Sequence, residues 1–243
     1  MRNIWIIARK EYKSYFISPI AYAVAFLIFL ILGIIFYANI LVATNQQYVP
    51  DISIILNPLV TIFLFTIPAL TMRSIADERR SGTMELLLTA PVRDGELIVG
   101  KWLGGYLFVL TIILVTWIYP IVLNQLIQPG LDQGLMLTGY LGLVLVSSAF
   151  VSIGVMASSL FSNQIAAFFT TLGILLLLWM ISYPAQALGS TGGELLRYLD
   201  LSEHLYNTFY QGIIEMQDVI YYISVTGLAL FLGSVSVQVR RWS

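Results

Sequence analysis

The chain has 243 residues, 58% of them hydrophobic and only 10% charged, with a formal net charge of −1. Soluble domains carry about 25% charged residues, so this composition excludes an ordinary soluble protein and describes an integral membrane protein. A nucleic-acid role is without support, and the absence of cysteine rules out disulfides and thiolate metal sites.

Residues 1–18 read as an amphipathic helix lying on a membrane surface. At about 100° per residue, Ile4, Trp5, Ala8, Tyr12, Tyr15 and Phe16 form an apolar stripe with Arg2, Arg9 and Lys13 opposite, and Pro19 ends the segment. The plainer alternative is a set of positive anchors flanking the first span. Six apolar runs follow, at 20–43, 54–73, 101–123, 135–158, 165–188 and 218–239. Each is long enough to cross roughly 30 Å of hydrocarbon at about 1.5 Å per residue. The first is too long for a signal-peptide core and continues into more spans, so it is expected to be retained. The predicted fold is all-α, a polytopic membrane protein with six transmembrane helices forming one domain over 1–243. Eleven of the twelve basic residues precede span one, lie between spans two and three or follow span six, with only Arg197 elsewhere. This bias predicts cytoplasmic termini.

Pro58 and Pro68 interrupt the hydrogen-bond ladder of span two, as static kinks or as points of bending. Span two can continue through "RSIADERR", where Arg73/Asp77 and Asp77/Arg80 have helical pair spacings, until Gly82 permits a turn. The loop from there to span three is the one large inner feature. Ten charged residues frame it: Arg73, Arg79, Arg80, Arg93 and Lys101 against Asp77, Glu78, Glu85, Asp94 and Glu96. Thr83 can cap a helix of about two turns with Glu85 in its first turn and an end before Pro91. Met84, Leu87 and Leu88 share a face of it. Such a face fits a groove on a soluble partner or lies on the lipid surface; the residues alone leave both open.

The stretch "GELIVGKW" almost spells a phosphate-binding loop, with Gly95, Gly100 and Lys101 in place. That loop needs a hydroxyl after the lysine for Mg²⁺ and a preceding strand. Trp102 supplies no hydroxyl, and "APVRD" with a helix cap at Asp94 supplies no strand.

Span four carries Ser147, Ser148, Ser152, Gly154, Ala157 and Ser158, whose four-residue spacings let another helix approach closely. The outer segment 189–217 is long and aromatic, and Leu195, Leu196, Leu199, Leu205, Tyr206, Phe209 and Tyr210 suggest short interfacial helices. Its His204 is the single histidine and, with no cysteine, makes a poor metal site. No ionisable residue lies in the central part of any span, which argues against an ion-coupled carrier. No nucleophile-elbow or zinc-protease motif is present either. Energy is therefore expected from another chain.

The stretch "ADERRSGTMELLLTAPVRDGELIVGKW" closely resembles the signature of ABC-2-type permeases, through Glu78, Gly82, Thr83, Glu85, Leu87, Leu88, Pro91, Gly100 and Lys101. The resemblance implies a cytoplasmic coupling loop at 74–100, its short coupling helix docking on a separate ATP-hydrolysing subunit, with Met84 on the same face as the leucines. It also implies that 1–18 is an elbow helix. "ARKEYKSYFISPIAY" and "LSEHLYNTFYQGIIEMQDVIYYISV" are similar to permeases associated with gliding motility and with maturation of nitrous oxide reductase, a copper enzyme. The second match rests on His204, Phe209, Gly212, Ile213, Asp218 and Tyr221.

The implied protein is the permease subunit of an ABC transporter in the inner (cytoplasmic) membrane, not itself an enzyme. Two ATPase chains would bind the ATP and Mg²⁺, a second permease copy or paralogue would complete the assembly, and this chain would hold no cofactor. Its cargo path, without charge, would suit an apolar or lipid-linked substrate. The alternative is a non-transporting membrane anchor or mechanotransmitter linking the ATPase to an outer-domain accessory protein.

Overall fold

The computed structural model describes residues 2–46, 49–82, 93–128, 130–186 and 190–241. Among the described residues every regular element is a helix. Six stretches are long and apolar enough to cross a membrane: Pro19–Asn45, Ser53–Arg80, Asp94–Leu126, Gln133–Leu160, Gln164–Ala185 and Met216–Val239. The chain is an all-α polytopic membrane protein.

Helix α1 (Arg2–Ile17) leads into α2 (Pro19–Gln46), where Pro19 takes the first helical position and needs no hydrogen-bond acceptor there. Helix α3 (Ser53–Thr71) contains Pro58 and Pro68, and a turn separates it from the short α4 (Ala76–Arg80). The expected continuous helix through "RSIADERR" is thus broken at 72–75. The cause lies on α7 (Gln133–Leu160). Its Ser158 hydroxyl donates to Met72 O (3.1 Å) and accepts from Ile75 N (3.0 Å) and Ala76 N (3.1 Å). One side chain is inserted where the Met72–Ala76 backbone bond would be, a recognised cause of kinks. Gly154, one turn earlier on α7, lies directly against Thr71, and a Cβ there would collide with the threonine side chain.

Helix α5 (Asp94–Thr116) starts earlier than the apolar run from 101 suggested. Arg93, not Asp94, is its cap residue, and the Arg93 N–H donates to Glu96 Oε2 (3.2 Å). Helix α6 (Ile118–Leu126) continues the span after a kink. Pro120 cannot donate to Thr116 O, and the Tyr140 hydroxyl does so instead (3.3 Å). Helix α8 (Gln164–Met180) is capped by the Asn163 side chain on Ile165 N (2.9 Å).

Helices α9 (Ser190–Leu199) and α10 (Leu201–Tyr206), followed by a 3₁₀ turn at Phe209–Gln211, lead into α11 (Met216–Arg241). Helix α7 is the central post. It packs against α3, α5, α8 and α11, and its Leu143, Val146, Phe150 and Val151 are fully buried. Asn3 Nδ2 donates to Glu96 Oε2 (3.1 Å) and Ser236 Oγ to Ser159 O (3.1 Å), so the first and last described helices meet one end of the bundle. Helices α9 and α10 occupy the other.

Candidate functional site

Helix α1 runs beside the first half of α5 in the same direction. The contacts climb together: Asn3 meets Glu96, Ile4 and Ile7 meet Gly100, Ala8 and Glu11 meet Gly104, and Phe16 meets Phe108. Gly100 and Gly104 make that approach possible. A Cβ on Gly104 would stand 2.5 Å from Glu11 Cβ and 2.8 Å from Ala8 O; one on Gly100 would stand 2.8 Å from Ile7 Cβ. The face expected to rest on lipid is therefore partly spent on protein. Its centre is Ile4, Ala8, Glu11 and Tyr15. Trp5 and Phe16, expected within the stripe, stand exposed at its edge beside Arg9 and Lys13, which are not on the opposite side.

Glu11 is an acidic residue on a buried helical face, and its partner is Lys101. Lys101 is not a loop residue. It lies two turns into α5 with 3% of its side chain exposed. Its ammonium meets Glu78 Oε1 at 2.9 Å and Glu11 Oε2 at 3.3 Å, and donates to Ser74 O at 2.5 Å. Three donors thus meet three acceptors from three elements: α1, the α3–α4 turn and α4. A cleft of about 280 Å³ opens beside this node between α1 and the end of α3, with Arg73, Asp77 and Ser14 on its wall. Tyr15 reaches the same junction, its hydroxyl donating to Leu70 O (3.4 Å). Burial, with Glu11 adding to it, holds its phenol well above the ordinary range.

The residues beside the node are engaged elsewhere. Asp77 forms its side-chain bond with Gln164 of α8, and among the described residues it pairs with neither Arg73 nor Arg80, contrary to the helical spacings. Trp102 donates its indole N–H to Ser148 O (3.2 Å) and stacks on Tyr106. Lys101 and Trp102 are thus locked into helix packing, with no cradle for phosphate between them.

Of the residues singled out for coupling, Glu78 is in the node, and Gly82 follows α4 with φ +72°, in the left-handed region. Thr83, Met84, Glu85, Leu87, Leu88 and Pro91 lie outside the described residues. Glu11, Ser74 and Ser158 were not singled out as a polar junction by the sequence. Glu11 alone left a signal, as a charge on an otherwise apolar helical face.

At the opposite end, His204, Asp218 and Tyr221 come together. His204 Nε2 faces the Tyr198 carbonyl at 2.8 Å and therefore donates to it, while Nδ1 shares a 2.6 Å bond with Asp218 Oδ1. The imidazole stacks on Tyr221, ring centroids 4.0 Å apart. Tyr221 and Tyr222 donate to Leu199 O and Leu201 O, each at 2.7 Å, and fully buried Asp200 accepts from Ser182 N (3.1 Å) and Ser202 N (2.7 Å). Phe209 fills the space over Gly142 of α7, and Gly212 makes the turn out of the segment with φ +82°. Ile213 is exposed. This cluster fixes α9 and α10 onto the start of α11, which gives His204 a structural bond on each nitrogen.

Among the described residues no group of His, Cys, Asp and Glu is arranged to hold a metal. No curated protein matches this chain. Residues 5–239 match the family described as "ABC-2 family transporter protein", and with nearly its whole length covered the chain belongs to that family.

Proposed function

We propose that this permease subunit passes the movement of a separate ATPase to its membrane helices through the loop 74–100 and the Lys101 node. The observation that carries the reading is the binding of Lys101 to Glu78 and Glu11 at once. Glu78 stands on the short helix leading directly into residues 83–92, where Met84, Leu87 and Leu88 would form the docking face. A push on that segment would otherwise be absorbed at the break between α3 and α4. Bridged by Lys101, α1, α4 and the first half of α5 move as one lever, and the paired bundles reorient around a path at their interface.

In this reading the end of the bundle carrying both described chain ends faces the cytoplasm, by the basic-residue bias. The membrane is the inner membrane, and ATP and Mg²⁺ are held by a dimer of ATPase chains. Helices α2 and α8 present exposed apolar faces, Leu27, Ile34 and Leu41 on one and Ile165, Phe169 and Leu177 on the other. These support a second permease copy or paralogue beside lipid. The cargo would be apolar or lipid-linked. Residues His204, Phe209, Gly212, Asp218 and Tyr221 support a place near the gliding-motility and copper-enzyme maturation permeases.

The alternative, a non-transporting mechanotransmitter, draws support from the outer cluster. It builds a braced platform with Leu195, Ile213 and Ile214 exposed, suited to an outer accessory protein.

Leu87→Asp tests the coupling reading. A charge placed in a desolvated contact is expected to weaken ATPase docking by about 3–5 kcal/mol. Insertion should be unaffected, and Leu30→Ala on the exposed face of α2 should leave docking intact. Wild-type co-purification and ATPase activity in Leu87→Asp would place these leucines on the membrane and withdraw the docking face.

A further inference from the structure

On the flank of α1 away from the Lys101 node, a groove of about 500 Å³ runs between α1 and α5. Its floor is Leu107, Leu110 and Leu114. Tyr12 forms part of the wall, but its hydroxyl is already bonded to Thr111 Oγ1 (3.0 Å), so it offers the groove mainly its ring. Arg9 and Lys13, one helical turn apart, line the same groove with Trp5. Both cations are exposed, and among the described residues neither has a carboxylate within ion-pair distance.

A basic pair at the edge of an apolar trough has the polarity of one kind of molecule, an anion carrying a hydrocarbon chain. We propose that the groove binds an anionic phospholipid of the surrounding bilayer, with its phosphate between Arg9 and Lys13 and an acyl chain along Leu107, Leu110 and Leu114. The direction of the helices supports this occupant. Contacts between α1 and α5 advance from Asn3 and Glu96 toward Tyr12 and Thr111, so the leucines continue into the span from the level of the cations. Trp5, half exposed beside Arg9, is a residue type favoured at the headgroup level. Long basic side chains can keep their stems on apolar surface while their charges reach the phosphates. An adjoining apolar cleft of about 350 Å³ shares Thr111 and holds Phe16, Phe26 and Phe108, which leaves room for a second chain of the same lipid. Bound there, the lipid would press α1 onto α5 on the side opposite the Glu11–Lys101 pair. The site rests on the α1–α5 geometry and stands whether or not residues 83–92 dock an ATPase.

Native mass spectrometry of the full chain after equilibration with mixed phosphatidylcholine and phosphatidylglycerol tests it. The wild type is expected to retain phosphatidylglycerol in preference. Arg9→Gln and Lys13→Gln should each lower that retention about fivefold, and the pair about twenty-five-fold, with phosphatidylcholine retention unchanged. Leu110→Trp, which fills the trough with both charges in place, should lower retention of both lipids; it decides the matter if the double variant fails to fold. Arg2→Gln with Lys10→Gln removes equal charge outside the groove and should leave retention intact. An equal loss in that control would reduce the effect to diffuse surface attraction and overturn the site. So would retention indifferent to Leu110→Trp, or a wild type that retains no phosphatidylglycerol and buries the groove only on meeting a second copy or the ATPase.

Discussion

Lys101 shows how one residue can match a motif and serve another purpose. Its spacing from Gly95 suits a phosphate loop, yet its ammonium is enclosed by two carboxylates and a carbonyl. Lys101→Met removes the charge and leaves Glu11 and Glu78 facing each other in a partly dry site. Breaking a fully buried pair costs about 3–5 kcal/mol, and the water still reaching both carboxylates reduces this to about 2–3 kcal/mol. We expect a lower unfolding temperature for the purified chain, partly restored in Glu11→Gln/Lys101→Met, where one of the two opposed charges is gone. Unchanged midpoints in the single variant would show that the node contributes nothing to stability. Nucleotide binding by the permease–ATPase complex should survive Lys101→Met, because Lys101 is already occupied within the permease.

At the scale of the element, the contact of α1 with α5 depends on two missing side chains. Gly104→Ala sets a methyl group against Glu11 Cβ and the Ala8 carbonyl, and backbone cannot rotate out of the way. Overpacking of this kind costs about 1–3 kcal/mol. It also shifts Glu11 away from Lys101, so loss of stability and loss of coupled ATPase activity are expected together. Gly95→Ala is the matched control, since nothing lies within 4 Å of its Cβ. Equal unfolding temperatures for the two variants would sink the proposed packing role of Gly104. The amphipathic pattern in 1–18 was legible in the sequence, but the orientation of that helix was not. A stripe of apolar residues states that a face is covered without stating whether lipid or protein covers it.

For the whole molecule, the bundle joins separate topology signals into one. Arg93 and the described chain ends lie at one end, and Glu194 and Glu203 at the other. A single determination of sidedness therefore fixes all of them. On the naturally cysteine-free background, Arg93→Cys is expected to resist a membrane-impermeant thiol reagent in intact cells, and Glu194→Cys to react. The reverse pattern would invert the proposed orientation and remove residues 83–92 from reach of a cytoplasmic ATPase.

The six spans and the all-α class are legible in the amino-acid sequence, because spanning hydrocarbon is a matter of local length and apolarity, and the backbone must bond within each helix. The sequence also placed Glu78, Gly82, His204, Asp218 and Tyr221 among the residues of interest, through their resemblance to a family. What these residues touch depends on how the helices pack. Glu11 and Lys101 are ninety positions apart, and nothing local distinguishes a charge with a buried partner from one facing water. The break between α3 and α4 depends on Ser158, whose hydroxyl arrives from another helix and substitutes for a backbone bond. Likewise, His204, Asp218 and Tyr221 become one cluster only when α10 folds back onto the start of α11. Local pattern fixes where a helix forms; which polar groups it buries depends on partners distant in sequence, because a buried charge or N–H is tolerated only where another element brings its complement.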